Sequence, residues 1–348
     1  MKPLNGKSVV VCDYPSQYLF PPKGYGGIER WLWTVAAVSI KLGMRVILLG
    51  PQWRYVLLPK AEYFPDRIID IEPSNFLKKI GYVDFLVGGH EYWFDEGMVK
   101  KFNEVANFSL TYQHGSKNLY RKKTFDNKKN FLFCYSDEIK EIFSDQRPFK
   151  LLCVSAGEDE DPISRSSKNY LIYIGRIDEE KSPHYAVLAA KNIGLPIYIL
   201  GEIVKNDGYF ERHENIFNLP HVNMMGVIYG HKKMELIAEA CCGIYTIGKG
   251  YIEPAAGVVA EVIRSGIPLA GISWKGNDAV CEPVNADNKF GYIAKCESND
   301  TEQKIVEKLT QAIKLSIRLD REYIYIAGNN LYNENKLVEN MYLRILNS

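Results

Sequence analysis

The sequence has almost no net charge and no apolar stretch of membrane-spanning length. Its 348 residues carry 43 Lys and Arg against 42 Asp and Glu, a formal net charge of +1. Charge that is balanced and interspersed in this way gives no case for a nucleic-acid partner. No run reaches the roughly 20 apolar residues that cross a bilayer, and the amino terminus lacks a signal-peptide core. We therefore predict a cytoplasmic protein that does not bind nucleic acid.

Cysteine pairs and metal-ligand patterns are also missing. The seven cysteines show no Cys-x-x-Cys spacing, and most lie in apolar, strand-like runs, so they are interpreted as reduced core residues. Asp159 and Asp161 form an Asp-x-Asp, a pattern that can hold a metal. They stand in a polar stretch rather than beside a predicted strand, which favours solvated charge. We predict no metal site and no cofactor.

What the chain does contain is a repeated alternation of strands and helices. Apolar runs at 8–12 and 45–49 flank a helical pattern from Ile28 to Leu42, which predicts a β-α-β unit. Further strands are predicted in the first half at 67–71, 84–87, 109–112, 130–135 and 150–154. A second series is predicted at 170–174, 197–200, 221–225, 243–246, 268–272 and 291–294. Strands that alternate with helices favour parallel sheets in doubly wound α/β domains.

A polar, acidic and serine-rich stretch separates the two series. The predicted organisation is a first domain over 1–155, a linker over 156–169, and a second domain over 170–330. The remaining segment, 331–348, has apolar residues between polar ones and is predicted to be helical over about 331–346.

Two glutamates eight residues apart, Glu253 and Glu261, define the most informative segment. Pro254 suits the first turn of a helix, which predicts Glu253 as the N-cap. The free N–H groups of such a start would face an anion such as phosphate. These groups belong to Ala256, Gly257 and Val258. The carboxylates would then accept from sugar and ribose hydroxyls, whereas the alternative is a capped surface helix with solvated glutamates.

A second candidate anion site follows the strand predicted at 170–174. Arg176 and Lys181 stand after its carboxyl end, where ligands of open α/β sheets bind. Together they could neutralise a diphosphate, Arg176 by bidentate contacts and Lys181 as a point charge. The alternative is a set of surface salt bridges with the neighbouring carboxylates.

The glycine turn at Gly24, Gly26 and Gly27 opens the first long helix. A nicotinamide-binding turn fits poorly, because the Gly-x-Gly-x-x-Gly spacing is incomplete. The next strand also ends without an acidic ribose ligand. A plain helix-start turn is the remaining alternative.

These segments resemble signatures of retaining glycosyltransferases of family 4, also called glycosyltransferase group 1. The similarity is strongest over 175–181 and 253–268, and Ala255 and Ser182 depart from the common family pattern. The resemblance implies an α/β GT-B fold, in which two Rossmann-like doubly wound domains face an interdomain cleft. It also implies that the carboxy-terminal helix packs back on the first, acceptor-side domain.

The resemblance implies a role for each candidate residue. Glu253 would contact the donor sugar and Glu261 the ribose, while Arg176 and Lys181 would take up the charge of the leaving diphosphate. Gly26 and Gly27 would lie against the diphosphate from the first domain. His114 follows the strand predicted at 109–112 and would contact substrate; His90 could compete for an acceptor role, and both histidines could instead be structural.

The implied reaction moves a hexose-type sugar from a nucleoside-diphosphate sugar to an acceptor hydroxyl, without a metal and with retention. A sugar-nucleotide epimerase of the same fold and a non-catalytic sugar-nucleotide-binding protein are the alternatives. The base, the sugar and the acceptor stay open. A lipid-linked or glycan acceptor is a guess from the family's usual substrates and from one basic run.

That basic run extends from Lys117 to Lys129, with Leu119, Tyr120 and Phe125 interleaved. We interpret it as a solvated face. The alternative is peripheral contact with an anionic membrane surface, which would be the inner membrane surface, or with a phosphate-bearing acceptor.

Overall fold

The computed structural model describes residues 3–24, 26–53, 58–157, 159–205, 208–274, 281–285 and 289–348. The chain divides into two compact units. Unit 1 comprises Met1–Glu158 with Asn333–Ser348, and unit 2 comprises Asp159–Tyr332. The first division falls inside the predicted linker 156–169, and the second lies next to the predicted boundary between residues 330 and 331.

Unit 1 contains a parallel sheet of seven strands. They are β1 (Ser8–Cys12), β2 (Arg45–Leu49), β3 (Ala61–Phe64), β4 (Val83–Val87), β5 (Ala106–Tyr112), β6 (Asn130–Cys134) and β7 (Phe149–Lys150). Their order is β3-β2-β1-β4-β5-β6-β7, which is the doubly wound arrangement with the chain reversing between β1 and β4. β1 is fully buried from Val9 to Cys12, as expected for a central strand of a parallel sheet covered on both faces.

The described residues of unit 1 form five α-helices. They are α1 (Gly27–Lys41), α2 (Pro73–Lys79), α3 (Glu96–Val105), α4 (Asp137–Ile142) and α13 (Glu334–Leu346). α13 comes from the end of the chain and packs on α1. The Tyr342 hydroxyl lies 2.9 Å from the Ser39 hydroxyl, and its ring packs against Phe85 of β4 with centroids 4.7 Å apart.

Unit 2 repeats this plan with six parallel strands. They are β8 (Leu171–Ile174), β9 (Ile197–Leu200), β10 (Val222–Gly226), β11 (Cys242–Tyr245), β12 (Leu269–Trp274) and β13 (Gly291–Cys296). The order is β10-β9-β8-β11-β12-β13, so the chain reverses between β8 and β11. Loops that follow the carboxyl ends of these two strands lie where doubly wound sheets bind ligands.

The helices of unit 2 connect and cover these strands. They are α5 (His184–Ile193), α6 (Tyr209–Arg212), α7 (Glu214–Phe217), α8 (Gly230–Glu239), α9 (Gly257–Arg264), α10 (Glu282–Asn285), α11 (Glu302–Ser316) and α12 (Arg321–Leu331). In the parts of the chain that the structure describes, no helix is long and apolar enough to cross a membrane.

Three local predictions are wrong. Residues 67–71 form turns, and the third strand of unit 1 is β3 instead. The carboxy-terminal helix begins at Glu334, after the capping residue Asn333, whose side chain accepts from the Lys336 N–H. The last predicted strand of the first half is only the two-residue β7. All seven cysteines are buried.

Candidate functional site

The turn that follows β8 carries the first group of candidate residues. Asp178 shapes the turn, because its Oδ1 accepts from the Lys181 N–H at 2.9 Å. Arg176 projects from the same turn and pairs with Asp178 at 2.7 Å and with Glu180 at 2.6 Å. Its side chain is 24% exposed, so the guanidinium stays within reach of a ligand. The salt bridges that were the alternative interpretation of this segment are therefore present.

The segment that follows β11 supports this turn through hydrogen bonds. Thr246, directly after β11, donates to the Lys181 carbonyl at 2.6 Å, and the Gly248 N–H donates to the Glu180 carbonyl at 2.8 Å. A β-carbon on Gly248 would overlap the Glu179 carbonyl oxygen. The loop after β11 consequently fixes the position of Lys181.

Lys181 and Glu253 form a buried ion pair. The ammonium contacts Glu253 Oε2, and the Tyr245 hydroxyl donates to the same oxygen at 3.2 Å. The ammonium also lies over the ring of Tyr251, 5.3 Å from its centroid. Glu253 is only 6% exposed. The structure thus brings two of the predicted site residues into direct contact.

Electrostatics make this lysine unusual. Burial, followed by the positive charge of Arg176, lowers the pKa of Lys181 to about 7, while Asp178 and Glu180 act in the opposite direction. A lysine with such a pKa is only partly protonated near pH 7. An anion that binds nearby raises its pKa and so favours the ammonium form. Perturbed groups beyond a strand end are candidates for functional sites.

The segment around Glu253 differs from its predicted geometry. α9 begins at Gly257 with Ala256 as the N-cap, and the Ala256 side chain supplies no capping hydrogen bond. Glu253 therefore precedes the helix by a full turn and is not its N-cap. The predicted anion-binding N–H groups do lie at the helix start, where Val258 is the second helical residue. Since first-turn N–H groups lack intrahelical partners, they remain available to an anion.

Glu261 belongs to a second buried charge cluster, which sequence reasoning missed. Lys233 on α8 pairs with Glu261 Oε1 at 3.0 Å and with Glu160 Oε1 at 2.8 Å. Glu160 stands between the two residues of the Asp-x-Asp motif, and Asp159 and Asp161 are exposed, as the solvated interpretation requires. A basic residue on the buried face of α8 was the available sequence signal. The second oxygen of Glu261 has no partner among the described residues.

Unit 1 holds the remaining candidates, beyond the carboxyl ends of β4 and β5. The rings of His90 and His114 lie 6.1 Å apart, and Trp31 packs against His114 at 5.2 Å. Burial lowers the pKa of His90 to about 4 and holds the pKa of His114 well below its usual range. Both rings are therefore neutral at pH 7. Their buried Nδ1 and Nε2 atoms, respectively, have no hydrogen-bond partner among the described residues.

The glycine turn has a local structural role in addition to its predicted one. Gly26 has φ 138°, and a β-carbon there would lie 3.0 Å from Pro22, so this position requires glycine. Gly27 has open space around it. Glu29 in the first turn of α1 is buried, which raises the pKa of its carboxyl group, with a Ser16 hydrogen bond acting against that rise. Each unit thus holds its own group of predicted site residues.

In the described parts of the chain, no three His, Cys, Asp or Glu side chains lie close enough together to hold a metal ion. The expected phosphate cations and carboxylates are the charged groups of the site. Among them, Arg176, Lys181 and Glu253 are linked through direct ion pairs or mutual electrostatic effects.

Comparison with known proteins defines the fold. Residues 157–329 match the sequence profile of the family described as glycosyl transferases group 1, which covers nearly all of unit 2. A glycosyltransferase of avilamycin A biosynthesis, AviGT4, is 16% identical with a TM-score of 0.70, over 97% of this chain and 96% of that one. A glycosyltransferase from Rickettsia africae is 14% identical, also with a TM-score of 0.70, over 98% of each chain.

A third similar structure was solved with a nucleotide. HepE from Anabaena, in complex with UDP, is 11% identical with a TM-score of 0.67, over 98% of this chain and 100% of that one. No curated protein sequence matches significantly. The chain therefore has the two-domain, Rossmann-like GT-B fold, and nearly all of its second unit matches the glycosyltransferase group 1 profile.

Proposed function

We propose that this protein is a retaining glycosyltransferase that moves a hexose-type sugar from a nucleoside-diphosphate sugar to an acceptor hydroxyl. The observation that carries the proposal is the buried pair of Lys181 and Glu253 at the carboxyl end of the unit 2 sheet. Burying two charges is costly unless each is partnered. A donor substrate offers the right partners, since a diphosphate suits the ammonium and sugar hydroxyls suit the carboxylate.

The ion pair is the resting state in this account. When the diphosphate arrives, the Lys181 ammonium turns from Glu253 to the phosphate oxygens, and Arg176 adds a second positive charge. The Glu253 carboxylate then accepts hydrogen bonds from the donor sugar. Both buried groups remain partnered throughout, so donor binding exchanges contacts rather than exposing a charge.

The start of α9 and Glu261 complete the donor site. N–H groups of Gly257 and Val258 would bind a phosphate at the helix N-terminus. The free oxygen of Glu261 would accept from the ribose hydroxyls, while Lys233 holds the other oxygen in place. HepE bound to UDP and a pneumococcal O-GlcNAc transferase bound to UDP and GlcNAc are similar structures that support this class of donor.

The chemistry follows from charge stabilisation. As the glycosidic bond breaks, negative charge grows on the diphosphate, and Arg176 and Lys181 are placed to stabilise it. These cations can stabilise the negative charge of the leaving diphosphate without a metal. The acceptor hydroxyl attacks on the face that the diphosphate leaves, and a phosphate oxygen receives its proton. No residue is assigned as a covalent nucleophile.

Unit 1 is proposed to recognise the acceptor. Neutral His90 and His114 each leave one buried ring nitrogen that can exchange a hydrogen bond with a hydroxyl. Trp31 supplies an apolar ring beside His114. Such a combination of ring surface and neutral polar atoms suits a sugar-like or polyol acceptor.

The test is turnover of a panel of nucleotide sugars, with and without candidate glycan and lipid-linked acceptors, followed by NMR of the products. We expect one donor to release its nucleoside diphosphate and to give a product with the donor's anomeric configuration. Glu253→Gln should lower the rate about a hundredfold, the scale for losing one transition-state contact. Glu214→Gln, an exposed residue of the same unit, is the matched control.

Three outcomes would contradict the proposal in whole or in part. Conversion of a sugar nucleotide into a different sugar nucleotide without any acceptor would identify an epimerase. Tight binding of a donor without turnover under any acceptor would identify a sugar-nucleotide-binding protein. A product with the inverted anomeric configuration would still show glycosyl transfer but would contradict the retaining mechanism.

A further inference from the structure

A groove in unit 1 lies away from the residues considered so far. One wall is α3, which presents Lys100 and Asn103 from one helical face, and the other is the segment 121–130. The groove has a volume of about 490 Å³. It lies near the amino ends of β5 and β6, at the edge of the sheet opposite to the one where His90 and His114 lie.

The rim of the groove is positively charged. Four cations line it, Lys100, Arg121, Lys122 and Lys123, against the two carboxylates of Glu96 and Glu104. Lys100 lies 4.0 Å from Glu104 and is 81% exposed, which makes this a weak pair. Within the described parts of the chain, the other three cations have no carboxylate partner. The rim therefore has positive charge to offer an anion.

The wall carrying these cations is ordered by its own hydrogen bonds. The Thr124 hydroxyl donates to the Arg121 carbonyl at 2.8 Å, and the Asp126 N–H donates to the Lys123 carbonyl at 3.1 Å. Lys123 itself adopts the left-handed conformation, with φ 69°. Lys129 ties the two walls together by donating to the Asn103 carbonyl at 3.2 Å. The cations thus stand on a built scaffold rather than on a loose loop.

Two amide oxygens in the lining have no hydrogen-bond partner among the described residues. Asn130 is 5% exposed and donates through Nδ2 to the Thr124 carbonyl at 2.8 Å. This bond fixes the amide orientation and leaves Oδ1 as the orphan, and Asn103 Oδ1 is buried and unpartnered in the same way. A buried acceptor without a donor destabilises the folded protein. These oxygens need hydrogen-bond donors, and the several hydroxyl groups of a polyol can supply them.

We propose that this groove binds a phosphate-bearing polyol. The phosphate would lie against the basic rim, and hydroxyl groups would donate to Asn103 and Asn130. The aromatic residues of the basic run do not contribute to a membrane-facing surface, because Tyr120 and Phe125 are buried and pack on each other at 5.2 Å. The same chemistry occurs in free polyol phosphates and in the headgroups of anionic lipids.

Calorimetric titration tests the proposal without any catalytic assay, so it can fail or succeed independently of the glycosyltransferase function. The probes are inositol monophosphate, glycerol phosphate, inorganic phosphate and uncharged inositol. We expect a phosphorylated polyol to bind roughly tenfold or more tightly than inorganic phosphate or inositol, the gain of about 1.4 kcal/mol from added hydrogen bonds. Equal binding of inorganic phosphate, or no binding at all, would overturn the proposal.

Matched variants locate the site. Exchanging Arg121 and Lys123 for Gln should weaken inositol monophosphate binding about tenfold or more by removing two charged contacts. The control exchanges Lys117 and Lys128 for Gln, since these belong to the same basic run but do not line the groove. Equal losses in the two double variants would indicate a diffuse surface charge and contradict the proposal.

A third variant and a vesicle assay complete the test. Asn103→Ala should weaken inositol monophosphate binding but leave inorganic phosphate binding unchanged. Equal effects on both would contradict the assigned role of the amide.

Vesicles of phosphatidylinositol, compared with vesicles of phosphatidylcholine, distinguish a lipid headgroup from a free polyol phosphate as the ligand. Binding that inositol monophosphate competes away identifies a lipid headgroup, whereas binding of the soluble probe alone identifies a free polyol phosphate.

Discussion

Lys181 and Glu253 neutralise each other in a place where neither charge is tolerated alone. Their contact, supported by the Tyr245 hydroxyl, holds the cation that we propose to bind phosphate and the carboxylate that we propose to bind the donor sugar. Arg176 is similarly held by Asp178 and Glu180. At the scale of single residues, the charged groups that we propose to bind the donor are therefore already paired with one another.

This arrangement predicts a pH-dependent affinity. Free Lys181 loses its proton as pH rises through about 7, whereas a bound diphosphate favours the ammonium form and raises the pKa. The contribution of Lys181 to nucleoside-diphosphate affinity should therefore be greatest below about pH 7 and fall toward pH 9. Titrations at pH 8 in buffers of different ionisation enthalpy should show proton uptake on binding. Uptake that is absent, or that persists in Lys181→Met, would contradict the role of this residue.

The Lys233 cluster predicts a large stability effect. Lys233→Met would leave two carboxylates, Glu160 and Glu261, buried without their shared cation. Loss of one partner from a buried pair costs roughly 3–5 kcal/mol, and urea denaturation would measure it. Lys232→Met is the matched control, because the 3.7 Å pair of Lys232 with Glu235 is exposed and contributes roughly 1 kcal/mol or less. Similar losses in both variants would refute the buried cluster.

At the scale of elements, loops at the carboxyl ends of β8 and β11 carry the candidate chemistry. Gly248 lets the loop after β11 pack against the turn that holds Lys181. Gly248→Ala should push this turn away and weaken binding of the nucleoside diphosphate that stabilises the wild type about tenfold, with the fold retained by circular dichroism. Wild-type affinity in this variant would show that the loop does not position the lysine.

The attachment of α13 to unit 1 gives a second prediction for elements. Tyr342→Phe removes the hydroxyl contact with Ser39 and should lower the free energy of unfolding by about 1 kcal/mol. Tyr323→Phe is the control, since Tyr323 is 42% exposed. Equal unfolding free energies for the two variants would argue that the contact stabilises nothing.

Sequence patterns predicted the elements better than their ends. The pattern of apolar residues predicted strands at 8–12, 45–49 and 197–200, and the structure has strands with the same bounds. The predicted strand at 67–71 failed because its apolar residues pack in a turn. Pro254 favoured an early helix start, but the contacts of Glu253 with Lys181 and Tyr245 hold the chain outside the helix until Gly257.

The long-range ion pairs of Lys181 with Glu253 and of Lys233 with Glu160 and Glu261 could not be predicted from the chain. Glu160 lies 73 positions before Lys233 and 101 before Glu261, so their contact depends on tertiary packing. Motif order pointed to Arg176, Lys181, Glu253 and Glu261 as a set. The loops that bring β8, β11, α8 and α9 together determine which charged residues form pairs.

At the scale of the whole molecule, two Rossmann-like units carry different chemistry. Unit 2 presents charged groups suited to a diphosphate and a ribose, whereas unit 1 presents neutral histidines and aromatic rings. GT-B architecture is shown by structures with less than 25% identity to this chain, so the donor and the acceptor must be established on the protein itself.

Thermal unfolding with UDP, GDP, ADP, CDP and NAD, each in EDTA, tests the central claim most directly. A ligand at about 100 times its dissociation constant adds roughly 2.7 kcal/mol to the folded state. The account predicts stabilisation by one nucleoside diphosphate, retained in Lys191→Ala and lost in Lys181→Ala and Glu261→Ala. Stabilisation by NAD alone, or by no diphosphate, would contradict it.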